Sequence, residues 1–111
     1  MTSTLQTAPD PRHLMIDSRS NSDDVTLLIG GEIDLASAPA LERELREAER
    51  SMPRRIVLDL TALEFMDSTG ILLLFRAQER AAAAGHPLAL TRVPAQVQRL
   101  FSLTGLKTRL V

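Results

Sequence analysis

The stretch Ile56-Val57-Leu58-Asp59-Leu60-Thr61-Ala62-Leu63-Glu64-Phe65-Met66-Asp67-Ser68-Thr69-Gly70 decides the fold class of this chain. Its first five residues form a near-continuous apolar run of strand length, the pattern of a strand covered on both faces and so central in a sheet. A loop through Ala62–Met66 is expected next. Ser68–Ala84 then reads as a helix, with Gly85 just past its end as a left-handed cap. Hydroxyl residues and an acid thus stand where a buried strand hands over to a helix. Free N–H groups and the positive end of the helix dipole favour an anion at such a point, so a phosphate on Ser68 is accommodated without unfolding anything. The plainer reading of the same four residues is that Asp67 or Ser68 is only the N-cap.

Upstream, Leu41, Leu45, Ala48 and Met52 recur at helical spacing among charged neighbours, which predicts an amphipathic surface helix. Ser37 is its expected N-cap, Pro39 lies in its first turn, and Pro53 ends it. Before it, a strand over His13–Ile16, a polar turn over Asp17–Asp24 and a strand over Val25–Ile29 spell a hairpin closed by Gly30-Gly31. Residues 1–12 show neither period and predict a flexible N-terminal tail ahead of one domain spanning residues 13–111. Downstream, Pro87–Thr91 reads as a strand, and Pro94 opens a third helix with Val97, Leu100 and Phe101 on one face. Gly105 follows as a left-handed cap and Thr108–Val111 as a terminal edge strand. The whole predicts an α/β fold, a mixed sheet with crossover helices.

Composition narrows the function. With 13 basic and 14 acidic residues the net charge is -1, which gives no long-range pull on a nucleic-acid backbone, and three phenylalanines with no Tyr or Trp offer few stacking platforms. The absence of cysteine excludes disulfides, thiolate metal sites and thiol nucleophiles. Met1–Pro11 carries no signal-peptide pattern, and the longest strongly apolar run, Ile71–Phe75, is far shorter than a membrane span. A cytoplasmic protein with no cofactor, no metal and no direct nucleic-acid or membrane partner is expected. That run is apolar around the whole helix, more than burial against one sheet face needs, so part of it is expected to meet a partner.

Three ordered motifs carry a resemblance: Gly31-Glu32-Ile33-Asp34-Leu35-Ala36-Ser37 before the Leu41/Leu45 helix, Asp59-Leu60 through Phe65-Met66-Asp67-Ser68-Thr69-Gly70, and Leu100-Phe101-Ser102-Leu103-Thr104-Gly105-Leu106. Together they resemble the STAS-domain family, and within it the anti-sigma-factor antagonists. The resemblance implies a non-enzymatic switch that binds an anti-sigma factor, itself a serine kinase, and so releases a sigma factor. Phosphorylation of Ser68 switches binding off and a phosphatase restores it, with Thr69 a weaker candidate acceptor. Asp34, Ser37, Asp67, Thr69, Gly70 and Ile71 are the implied partner-binding residues. Other STAS domains serve in stress-signalling or lipid-transport complexes, which is the alternative within the family. Many members continue after Leu-Thr-Gly-Leu into a longer strand and a last helix, so the five residues beyond Leu106 predict a less covered third helix and sheet edge.

Two readings from other classes fit the sequence less well. A receiver domain would use Asp59 as its phosphoacceptor, but it needs paired acids ending the first strand to hold Mg²⁺, whereas Asp23-Asp24 precede a strand and the lysine, Lys107, lies far away. A serine hydrolase needs a base beside Ser68, yet His13 and His86 both fall in settings that predict exposed or capping roles, and Gly-x-Ser-x-Gly is missing.

Overall fold

The computed structural model describes residues 14–104. β1 (Leu14–Ser20) pairs antiparallel with β2 (Asp24–Ile33), β2 pairs parallel with β3 (Arg55–Met66), and β3 parallel with β4 (Leu88–Thr91). Among the described residues this is a mixed four-stranded sheet in the order β1-β2-β3-β4. Each parallel step needs a crossover, supplied by α1 (Ala38–Arg50) and α2 (Ser68–Ala84), and α3 (Ala95–Thr104) follows β4. Because β2, β3 and β4 advance in one direction across the sheet, right-handed crossovers place α1 and α2 on the same face. There the two helices touch, and α2 also touches α3.

The core lies between that face and the helices. Val25, Leu27, Ile29, Ile56, Leu58 and Leu60 point into it from the strands, and Leu41, Leu45, Leu74 and Phe101 from the helices. The opposite face of β3 carries Val57 and Asp59, which are half-buried, so the strand is fully covered on one face only. Arg80 of α2 grips Glu49 of α1 through its Nε and Nη2, at 3.2 and 2.9 Å, and so sets the helices side by side.

Several sequence expectations shift by a few residues, each for a local reason. Asp17–Ser20 belongs to β1 rather than to a turn, since backbone pairing with Val25–Leu28 does not depend on apolar side chains. The turn shrinks to Asn21–Asp23, where the Asn21 side chain accepts the N–H groups of Asp23 and Asp24 at 2.8 Å each. Met52 is not on the buried face of α1. The helix ends at Arg50, the residue before Pro53 cannot continue it, and Met52 turns to φ 53° with 82% of its surface exposed. Val97 and Phe101 are buried as expected, but Leu100 is 39% exposed. Residues 1–13, including the expected tail and His13, lie outside the described residues, as do Gly105 and the expected edge strand over Thr108–Val111.

The largest difference is Ala62–Met66, which is strand rather than loop. Opposite β2, the register slips between Leu28 and Gly30 and again between Gly31 and Glu32, each time admitting one extra residue on β3. Each slip is a β-bulge. The buried positions of β3 therefore run Ile56, Leu58, Leu60 and then Leu63, Met66, so the spacing changes from two to three and the strand signal vanishes. Gly30 and Gly31 are inside β2 and serve these bulges instead of closing the strand. A Cβ on Gly30 would stand 3.0 Å from the Ala62 Cβ, and Gly31 has φ 88°.

Candidate functional site

Two strand-to-helix junctions meet at the C-terminal edge of the parallel strands. The first joins β3 to α2. Asp67 caps α2 from an extended backbone, its carboxylate Oδ1 accepting the N–H of Thr69 at 2.9 Å and of Gly70 at 3.3 Å. Its carbonyl accepts the N–H of Ile71 at 3.2 Å, and its own N–H donates to the Ile33 carbonyl at 3.1 Å. Ser68 is thus the first residue of the helix. It is exposed, and no partner among the described residues holds its hydroxyl. The two readings of Asp-Ser-Thr-Gly hold together: Asp67 is the cap, and the cap leaves Ser68 outward. One expectation changes, because the N–H groups of Thr69 and Gly70 are already occupied by Asp67 and are not open to a phosphate.

Gly70 is buried for a steric reason. A Cβ there would stand 2.6 Å from Met66 Cγ and 2.8 Å from Ile33 Cγ2, so α2 starts this close to the ends of β2 and β3 only with glycine. Thr69 and Ile71 are half-buried, and Ile71 packs against the core.

The second junction joins β2 to α1 and is closed by reciprocal hydrogen bonds. Asp34 N–H donates to Ser37 Oγ at 3.0 Å and Ser37 N–H to Asp34 Oδ1 at 3.0 Å. The Ser37 hydroxyl donates to the Glu32 carbonyl at 2.9 Å, and Ala38 N–H to the Asp34 carbonyl at 2.8 Å. This is a capping box with serine in the returning role. Ser37 holds the N-cap position of α1 but makes no forward side-chain cap. At 2% exposure its side chain lies below the surface, so it shapes the junction from within. Gly70 likewise sits beneath the surface, whereas Asp34 and Asp67 stay half-buried.

Several apolar side chains of these junctions and of α2 reach the surface. On α2, Leu72 and Phe75 follow Ser68 at i+4 and i+7 on one face, 47% and 38% exposed. Leu35 between the junctions is 76% exposed, and Phe65 at the end of β3 is 49% exposed. Within Ile71–Phe75 only Leu72 and Phe75 are exposed; Leu74 is buried and Ile71 and Leu73 are half-buried. Leu35 and Phe65 were not singled out from sequence, although Leu35 is off the Leu41/Leu45 stripe of α1, a sign that it is not core.

Among the described residues the groups that the rival chemistries would use lie apart or are otherwise engaged. Asp59 is engaged within its own strand, Oδ1 accepting the N–H of Thr61 at 3.0 Å and its hydroxyl at 2.6 Å, with Arg92 Nε 3.6 Å from Oδ2. No cluster of three or more His, Cys, Asp or Glu suited to a metal occurs among the described residues. His86 stands beyond the far end of α2, about 25 Å from Ser68 at 1.5 Å per residue. Of the exposed or capping roles expected for it, His86 takes the capping one: its N–H closes the helix onto the Ala81 carbonyl at 3.2 Å, and the residue is half-buried with Nδ1 enclosed and unpartnered. No helix among the described residues is long and apolar enough to cross a membrane.

The family described as Mlab, STAS domain matches residues 16–111. The anti-sigma-B factor antagonist of Bacillus subtilis is 34% identical over 96 residues, 86% of either chain. This chain is a STAS domain of the anti-sigma-factor antagonist type. The crystal structure of an anti-sigma factor antagonist from Mycobacterium paratuberculosis superposes on this STAS domain with a TM-score of 0.80 at 26% identity, over 91% of this chain and 87% of that one. The phosphorylated form of SpoIIAA from Bacillus shares the fold, with a TM-score of 0.71 at 18% identity over 86% of this chain and 90% of that one.

Proposed function

We propose that this STAS domain is the antagonist in a partner switch: unphosphorylated, it binds an anti-sigma factor and so releases a sigma factor, and a phosphate on Ser68 ends that binding. The observation that carries the reading is an exposed, unpartnered hydroxyl at the head of α2, followed on that helix by the exposed Leu72 and Phe75. The anti-sigma factor is also the kinase. Ser68 Oγ attacks the γ-phosphorus of ATP held by that partner, its proton passes to a base there, and ADP leaves; a phosphatase later returns the hydroxyl by hydrolysis. The chain itself supplies an acceptor and a docking surface and performs no catalysis.

Bound to a partner, Ser68 would be screened from water together with Leu72 and Phe75, with Asp34, Asp67, Thr69 and Ile71 at the rim. A phosphate brings about -1.5 to -2 charges into that space. Burying it without a cation costs at least several kcal/mol. Asp67 deepens the effect, since it has already occupied the backbone donors that would otherwise receive the anion. Affinity is expected to fall at least roughly a hundredfold on phosphorylation, at about 1.4 kcal/mol per factor of ten. Titration calorimetry with the purified anti-sigma factor tests this on the unmodified chain, its phosphorylated form and Ser68→Ala. Ser68→Ala should bind like the unmodified chain, and equal affinity of the phosphorylated form sinks the proposal. Intact-mass measurement after the kinase reaction should find one phosphate, mapped to Ser68.

A further inference from the structure

We infer that Leu35 is the specificity-determining contact of this surface, a preformed apolar anchor that selects which anti-sigma factor the chain accepts. The inference rests on the partner-switch reading and adds to it the residue that chooses the partner. Leu35 contributes nothing to the core, since 76% of its surface is exposed while its neighbours Ile33, Ala38 and Leu41 are buried. Its backbone, by contrast, is held from both sides. The reciprocal Asp34–Ser37 pair, the Ser37 bond to the Glu32 carbonyl and the Ala38 bond to the Asp34 carbonyl close the turn around it, all at 2.8 to 3.0 Å. None of these bonds involves the leucine side chain. An isobutyl group on a fixed turn has little backbone freedom left to lose on binding, which is where a contact gains most.

Continuity with the acceptor site names the occupant. The strand residue two positions before Leu35, Ile33, accepts the N–H of Asp67, the cap directly before Ser68. Leu35 and Ser68 thus stand two residues and one residue beyond the same backbone hydrogen bond, so a protein docked over Ser68 has Leu35 within reach. Phe65, Leu72 and Phe75 are each half covered by their own chain and make a general apolar rim, whereas Leu35 stands clear and requires a matching recess. A partner without that recess meets an obstruction beside the acceptor.

The experiment uses the full chain with two purified probes, the anti-sigma factor encoded in its own genome and the anti-sigma-B factor of Bacillus subtilis as a non-cognate one. Burying a leucine side chain corresponds to about ten- to a hundredfold in affinity, so Leu35→Ala should weaken cognate binding by that factor while leaving the weaker non-cognate affinity unchanged or raising it, since the obstruction is gone. In the phosphorylation reaction KM should rise by the same factor with kcat unchanged, since Leu35 does not touch the reacting oxygen. Leu103→Ala, at an exposed leucine on α3, should change neither. The melting temperature of Leu35→Ala should match the unmodified chain, which separates lost contact from lost fold. Unchanged cognate affinity, or equal loss towards both probes, overturns the inference and leaves the switch standing. An unmodified chain that binds neither probe overturns both.

Discussion

The two junctions at the C-terminal edge of the sheet are built from the same residue types to opposite ends. In each, an aspartate follows a β-strand and a serine lies next to a helix start. After β2 the serine comes three positions later, and that spacing lets Asp34 and Ser37 satisfy one another, so Ser37 is buried with its hydroxyl fully engaged. After β3 the serine is the next residue. Asp67 then reaches past it to Thr69 and Gly70, and Ser68 is left at the surface with its hydroxyl free of partners among the described residues. Spacing alone makes one serine a structural fastener and leaves the other an exposed hydroxyl.

The strongest way to break the comparison is to remove the close approach both junctions share. Gly70→Val forces atoms against Ile33 and Met66, the last residues of β2 and β3, and overpacking of this kind should cost about 3 kcal/mol. Urea denaturation should show a lower midpoint with an unchanged slope.

The difference between the serines is sharpened by treating them alike. Ser37→Ala leaves the Asp34 N–H and the Glu32 carbonyl without their partner at a part-buried site, an expected loss of about 2 kcal/mol. Ser68→Ala should stay within about 0.5 kcal/mol, as exposed substitutions do. Equal losses in denaturant titrations would mean that the two hydroxyls are not distinguished in this way.

A smaller effect than the loss of the Ser37 hydroxyl concerns the cap. Asp67→Ala should cost about 1 kcal/mol by exposing the N–H groups of Thr69 and Gly70. In the unmodified chain a phosphate on Ser68 is attracted by the helix terminus and repelled by Asp67, so the stability of the free domain should change by less than about 1 kcal/mol. With alanine at 67 the repulsion is gone and the donors are open, and phosphorylation should raise the melting temperature. A phosphate that destabilises Asp67→Ala as much as the unmodified chain would show that Asp67 does not govern the site.

Most of this arrangement was legible in sequence because its signals are local. The α2 helix is bounded by Asp67 and Gly85, residues with strong preferences for those ends, and it forms where the sequence predicts. The parts that were not legible depend on neighbours distant in sequence. Ala62–Met66 looked like a loop because its alternation is broken, and it is broken by bulges that exist only opposite Gly30 and Gly31 of another strand. Ser37 looked like a forward cap because serine caps are common, but the carbonyl it binds belongs to Glu32, on the strand side of the turn.

The sequence by itself determined the α/β alternation and the two ends of α2, since each follows from period, capping preference or glycine within a few positions, while the choice of Asp67 over Ser68 as its cap needed the structure. Only the tertiary structure decided which side chains of the site reach solvent. Ile33 and Leu35 are both aliphatic and two residues apart, yet one is buried and the other is 76% exposed. Exposure is set by what the rest of the fold brings alongside, and for Leu35 a closed turn at the ends of the strands leaves little among the described residues to cover it.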